Sequence, residues 1–250
     1  MSKFVGKVVI ITGSSSGIGT GIALKFSNAG AHVVVHGLEK DKVADVANQC
    51  QLCSPTGLRP LEVVCDIAQP DQCQRIIDMT IEAFGRLDIL INNAGIGMLS
   101  TIEDKDILDK YDKVMDINLK AIIYLSHLSV EHLIKTRGNI INISSVASRK
   151  ICAVDMLTKC LSLELASKQI RVNSVNPASV KTNIAIAMGL PKEYIDRAFD
   201  EGGRKLPLQR CGTPEDTANA VLFLASDHLC SFITGCNMFV DGGDQLGSVN

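Results

Sequence analysis

The stretch Thr12-Gly13-Ser14-Ser15-Ser16-Gly17-Ile18-Gly19 decides how this chain is read. Val8, Val9, Ile10 and Ile11 precede it, and Ile18, Ile22 and Phe26 follow at helical spacing. An apolar strand, a glycine-rich turn and a helix together frame a dinucleotide-binding motif. Gly13 permits a tight turn off the strand. Gly17 leaves no side chain between a pyrophosphate and the backbone, and Gly19 lets the helix pack closely. The helix would then aim its free N–H groups and positive dipole end at the phosphates.

The rest of the chain sets bounds on that reading. Its 250 residues suit one α/β domain over 1–250, and 46% hydrophobic residues supply one core. With 25 basic against 27 acidic residues there is no electrostatic case for nucleic acid or an anionic membrane. The apolar runs are strand-length, short of a bilayer span. The first strand begins so close to Met1 that no signal peptide is expected. Nine cysteines, an odd and scattered set, read as free thiols in a reducing cytoplasm. Cys50-x-x-Cys53 has neither a second CxxC nor a nearby histidine to complete a zinc shell, so it reads as two thiols at a frayed helix end.

Strand and helix signals alternate along the sequence. Ala31–His36 reads as a strand, Lys40–Cys50 as a helix and Gln51–Pro60 as a loop. Leu61–Cys65 is a strand ending at Asp66, and Pro70–Phe84 is a helix with a first-turn proline. Ile89–Ile91 is a strand running into Asn92-Asn93-Ala94-Gly95. Helices over Tyr111–Thr136 and Val154–Lys168 flank a strand at Ile140–Ile143, and a strand follows at Val172–Val175. Asn183–Arg210 reads as irregular, a candidate lid. Thr213-Pro214-Glu215 starts a helix with an N-cap threonine, and Met238–Val240 is the last strand. The alternation predicts a Rossmann-type doubly wound parallel sheet with helices on both faces, its ligands beyond the carboxyl ends of the strands.

With these motifs in place, the chain resembles the short-chain dehydrogenase/reductase family over nearly its full length. The resemblance is carried by Thr12–Gly19, Asp66-Ile67, Asn92–Gly95, and Asn118 within Asp116–Leu119. It continues through Ile143-Ser144-Ser145, Arg171–Pro177, Thr182 and the ending Gly235–Gly243. It implies an NAD(P)(H)-dependent oxidoreductase that moves a hydride between the nicotinamide and a carbonyl or secondary alcohol (3-oxoacyl, ketone or steroid-like). It further implies that Gly13, Ser15, Ser16, Gly17, Ile18, Gly19 and Leu38 border the cofactor. Asp66, beside Ile67, would hold the adenine, and Asn93, Ala94 and Gly95 would line the ribose. Pro177 and Thr182 would meet the nicotinamide end. Asn118 would position a relay water, and Ser145 would polarise the substrate. Each has a plainer reading: Asp66 as a helix cap, Ser145 as a strand-end turn, Asn118 as a helix-interior polar residue. A homodimer or homotetramer is implied as well.

One departure is sharp. The family's proton donor is a tyrosine about a dozen residues after the serine, with a lysine four positions on that lowers its pKa. Here the tyrosines are Tyr111, Tyr124 and Tyr194, and none meets that spacing. The chain is shorter than the family pattern by roughly ten residues near Arg149–Cys152, which removes the pair and about 10 Å of helix. Asp155 and Lys159 share the i, i+4 spacing but read as a surface ion pair, and nothing in the sequence positions Lys150. Two readings follow, an oxidoreductase and a cofactor-binding protein whose catalysis is impaired. At the end of the second strand stands Gly37, followed by Leu38, where an acidic residue would mark NAD binding. NADP(H) is therefore favoured over NAD(H), with Ser15, Ser16, His36 and Lys40 as the nearby groups for a 2′-phosphate. Met98–Asp106 and Asn183–Arg210 should shape the substrate pocket.

Overall fold

Short β-branched runs form the centre of the molecule. In this computed structural model, which describes residues 4–146 and 153–247, seven of them make one parallel sheet in the order β3-β2-β1-β4-β5-β6-β7. The strands are β1 (Val8–Ile11), β2 (His32–Gly37), β3 (Leu61–Val64), β4 (Ile89–Asn92), β5 (Asn139–Ile143), β6 (Arg171–Pro177) and β7 (Asn237–Val240). Through the first three strands the chain steps outward, then crosses back to place β4 beside β1. That reversal opens a crevice at the carboxyl ends of the two strands.

Alternation along each strand builds two cores. Val9 and Ile11, with Val33 and Val35, pack against α1 (Gly17–Asn28), α2 (Lys40–Cys53) and α9 (Pro214–Ala225). Ile10, Val34 and Leu90 point to the other face, against α3 (Pro70–Phe84) and α5 (Ala121–Thr136). A strand buried on both faces must be apolar at every position, which is why β1 reads Val-Val-Ile-Ile. Local signals fix the helix ends. Pro70 opens α3 and Gly85 closes it in the left-handed conformation at φ 69°. Thr213 caps α9 in a reciprocal capping box with Asp216.

Several expectations need correction. The segment 183–210 is not irregular: it holds α7 (Ile184–Ala187) and α8 (Lys192–Lys205), and α8 docks through Ile195 and Gly203. The expected long helix over Tyr111–Thr136 is α4 (Ile107–Met115), a π-helical turn over Asp116–Lys120, and then α5. The helix α6 (Ala153–Leu165) follows β5, and α10 (Asp227–Cys230) follows α9. Cys50 does not fray. It is fully buried within α2, and burial pushes its thiol up to about 12, while Cys53 donates to the carbonyls of Leu24 and Cys50. All eight described cysteines are free thiols. Among the described residues, no helix is long and apolar enough to cross a membrane.

The amino edge of the sheet is fastened by charge. Asp88, 1% exposed, accepts two hydrogen bonds from Arg86 at 2.8 and 2.7 Å, one from the Val8 N–H at 3.0 Å, and pairs with Lys7. Burial alone would raise its pKa, but these donors outweigh burial and hold the carboxyl below the ordinary carboxylate range. Asp88→Ala leaves the buried Val8 N–H without an acceptor and should cost roughly 2–4 kcal/mol in urea unfolding. A loss under about 1 kcal/mol would show that Asp88 does not tie β1 to β4.

Candidate active site

The glycine-rich turn is held by neutral hydrogen bonds from three directions. The Thr12 hydroxyl accepts from the N–H groups of Asn93 and Ala94, both at 3.0 Å. Asn93 returns its side-chain amide to the carbonyls of Thr12 (2.8 Å) and Gly13 (3.2 Å). The Ser14 hydroxyl donates to Ile11 O at 2.8 Å and accepts from His36 N–H at 2.9 Å. The turn thus rests on β4 and β2 together.

These bonds bring the backbone so close that side chains are excluded. Gly13 lies at φ 63°, and a Cβ there would sit 2.8 Å from Ala94 Cα. At Gly19 a Cβ would meet Gly13 O at 2.4 Å and the Asn93 amide at 2.5 Å. Gly17, at φ 58°, faces Thr182, whose methyl would lie 3.3 Å from such a Cβ. The result is a cradle of bare backbone opening onto α1. Ser16 stands at the N-cap of that helix without a side-chain cap, and the first turn carries no acidic residue. An uncapped helix start with no fixed negative charge suits a diphosphate, so the residues present fit a dinucleotide.

His36 braces the cradle from beneath. Gly13 N–H donates to His36 Nδ1 at 3.0 Å, so the ring proton sits on Nε2, 3.1 Å from Cys65 O. Burial pulls the imidazole from 6.5 down to about 4, against the Cys65 carbonyl and Asp66, which raise it. A neutral, buried ring is not available to a 2′-phosphate, which corrects that expectation. Leu38 is 68% exposed at the rim. Asp66 caps a local turn through Ala68 N–H at 3.0 Å, next to buried Ile67.

Across the crevice, Asn118 lies in the π-helical turn and meets the main chain of Ile96 at both ends. Its Oδ1 accepts from Ile96 N–H at 2.9 Å and its Nδ2 donates to Ile96 O at 2.8 Å. Gly95 lies against the same amide. Ser145 follows β5, and its carbonyl accepts from Asn176 Nδ2 at 3.2 Å. Asp155 does not pair with Lys159 among the described residues. Its carboxylate turns inward to the same Asn176 amide, at 3.0 and 2.9 Å, while Lys159 is exposed. Buried Pro177 ends β6, and Thr182 reaches back over Gly17. Arg149 and Lys150 lie outside the described residues. The described His, Cys, Asp and Glu side chains form no group able to hold a metal.

Three features escaped the sequence reading. Asn176 joins Ser145 to Asp155; a buried Asn92–Asn142–Thr158 chain crosses from β4 to α6; Met188 packs against Gly97. The first two could have been suspected from asparagines interrupting the apolar strands β5 and β6. The Met188 contact left no such mark.

The depressed His36 pKa has a sign. Between pH 6.5 and about 4 the unfolded chain binds the proton and the folded chain does not, so stability rises with pH across that window. Acidification through it should cost the wild type roughly 3 kcal/mol more than His36→Gln, read from urea unfolding at stepped pH. Parallel pH slopes for the two proteins would refute a buried neutral imidazole.

Comparison with known proteins agrees with this geometry. A family model described as Enoyl-(Acyl carrier protein) reductase matches residues 13–244. L-fucose dehydrogenase of Oryctolagus cuniculus is 33% identical, over 99% of this chain and 88% of that protein. A short-chain dehydrogenase/reductase from Caenorhabditis elegans, solved with cofactor, superposes at TM-score 0.91, 32% identical, covering 98% of this chain and 97% of that one. L-sorbose reductase from Gluconobacter frateurii, complexed with NADPH and L-sorbose, superposes at 0.86, 32% identical, covering 97% and 98%. The crevice, the order of its motifs and these likenesses place the chain in the short-chain dehydrogenase/reductase family.

Proposed function

We propose that this chain binds NADP(H) in preference to NAD(H) and that its crevice serves hydride exchange with a small carbonyl or secondary alcohol. The observation that carries the reading is the bare-backbone cradle at the uncapped start of α1. Around it, Ser15, Ser16 and Ile18 join Gly13, Gly17 and Gly19 at the diphosphate and adenosine ribose. Leu38, Asp66 and Ile67 border the adenine. Asn93, Ala94 and Gly95 line the ribose, and Pro177 and Thr182 face the nicotinamide end. That likeness to an NADPH-bound sugar reductase supports the cofactor and the carbonyl class.

The nicotinamide, when bound, supplies or receives the hydride. Ser145 donates its hydroxyl proton in a hydrogen bond to the substrate oxygen, held in place through its carbonyl by Asn176. Asn118 fixes the Gly95–Ile96 segment and keeps one Oδ1 lone pair for a relay water. The exposed apolar side chains Ile123 and Ile134 on α5, with Met156 and Leu163 on α6, support a homodimer or homotetramer through these helices. Eight free thiols fit the reducing cytoplasm.

A second reading, a nucleotide-holding protein with impaired turnover, is favoured by one specific fact. Tyr111 and Tyr194 are exposed on α4 and α8 and Tyr124 lies on α5, so no tyrosine follows Ser145 with a lysine four residues on. Lack of a positioned general acid costs roughly 10²–10⁴-fold in rate. Titration of NADPH into the purified chain, followed by nucleotide fluorescence, should saturate. A panel of sugars and ketones added to the same sample should then oxidise it slowly, and Ser145→Ala should abolish that oxidation while leaving NADPH affinity within about twofold. Saturable binding without oxidation would decide for the second reading, and no binding would overturn both.

A further inference from the structure

We propose that the cavity at the amino ends of β1, β4 and β5 is a second ligand site, suited to a compact neutral polyhydroxy compound, a polyol or a monosaccharide. It lies at the end of the sheet opposite the nucleotide cradle and shares none of the cradle's residues. Its volume is about 300 Å³, the small end of the range for ligand sites. Phe4 and Ile89 give it apolar walls, and an edge-to-face contact with Phe26 at 5.0 Å fixes the Phe4 ring.

Two buried polar side chains on its wall keep hydrogen-bonding capacity to spare. Asn139, 2% exposed at the start of β5, donates its amide to Ala225 O at 3.3 Å, but its Oδ1 has no partner among the described residues. Ser226 is 5% exposed, and its hydroxyl makes no capping bond to α10. Buried acceptors are almost always paired in folded proteins, so an unpaired one on a cavity wall calls for a donor that enters from outside. Asp88 also lines the cavity, but its carboxylate is already taken by Arg86, Val8 N–H and Lys7. The open acceptor is Asn139.

Charge narrows the class of that ligand. Lys7, Arg86 and Arg171 stand against Asp88 and Asp227, so three cations outnumber two carboxylates around the cavity and its rim. Exposed His228 at the rim brings no negative charge. A cationic ligand would add to the excess. An anion would face two carboxylates and the Asn139 oxygen, none of which can donate to it. A hydroxyl does both jobs: it donates to Asn139 Oδ1 or Asp227 and accepts from Lys7 or Ser226. Lys7 and Asp227 stand 3.8 Å apart, too far for a hydrogen bond, so a ligand hydroxyl can bridge them. The C–H face of the same molecule packs on Phe4 and Ile89.

Calorimetric titration of D-sorbitol into the nucleotide-free chain should show one saturable site with a Kd on the order of 1 mM. The site should persist in Ser145→Ala, a change in the other crevice. Ser226→Ala should weaken it about tenfold while leaving Tm within about 3 °C of wild type. Ser226→Leu, whose side chain fills the cavity, should abolish it; if that variant unfolds, Ser226→Ala carries the test alone. The charged probes 1,4-diaminobutane and succinate should bind at least about tenfold more weakly than sorbitol. If sorbitol does not saturate the chain even at about 50 mM, water fills the cavity and the inference falls. Binding that is unchanged in the Ser226 variants, or lost in Ser145→Ala, puts sorbitol elsewhere and overturns the inference while the proposed function stands. Tighter binding of either charged probe overturns the neutral class.

Discussion

The site depends on one close approach, that of the β1 turn to the end of β4. A Cβ on Gly13 would lie 2.8 Å from Ala94 Cα, so two segments of main chain pass with nothing between them. The approach is held by the Thr12 hydroxyl, which accepts two N–H groups from β4's continuation, and by Asn93, which reaches back to two carbonyls of the turn. Backbone groups that the turn cannot pair within itself are paired across the crevice, as buried polar groups must be. From this contact the position of α1 follows, and with it the direction of its free N–H groups.

The two edges of the sheet are fastened by different means, and the difference suits their tasks. At the amino edge a buried carboxylate, Asp88, gathers Arg86, Lys7 and Val8 N–H. Fixed charge is tolerable there because its countercharges sit beside it. At the cradle the same job is done by hydroxyls, amides and a neutral imidazole. A charge built into that edge would either repel a diphosphate or compete for its donors. His36 marks the limit of this logic: burial keeps it uncharged down to about pH 4.

Much of this was legible because the governing signals are short. Four β-branched residues, three glycines at fixed offsets, Pro70 and the Thr213 cap each act within one turn of chain. What the sequence hid depends on long-range packing. Helix α8 buries only Ile195 and Gly203, so it leaves no apolar stripe to read and passes for an irregular lid. The π-helical turn at Asn118 is set by Ile96, twenty-two residues earlier in the chain. Asp155 and Lys159 had the spacing of a helix-surface pair, but Asn176 competes for the carboxylate from β6, and a half-buried charge-assisted bond outweighs an exposed pair.

That last detail shows how the start of α6 is held. The start of α6 is anchored from the strands beneath it: Asp155 to Asn176 on β6, and Thr158 to Asn142 on β5 at 2.9 Å. Asn176 also holds the Ser145 carbonyl, so the serine keeps its strand-end position through the same residue that holds the helix. The anchor at Asn142 also accepts from Asn92 Nδ2 at 2.9 Å, at the end of β4 and next to the Asn93 that reaches back to the glycine-rich turn. The start of α6 is therefore tied through Asn142 to the same strand end that carries the cradle. One buried polar chain thus fixes β4, β5 and α6 relative to one another, so a side-chain change at Asn142 would disturb the helix and the strand end together.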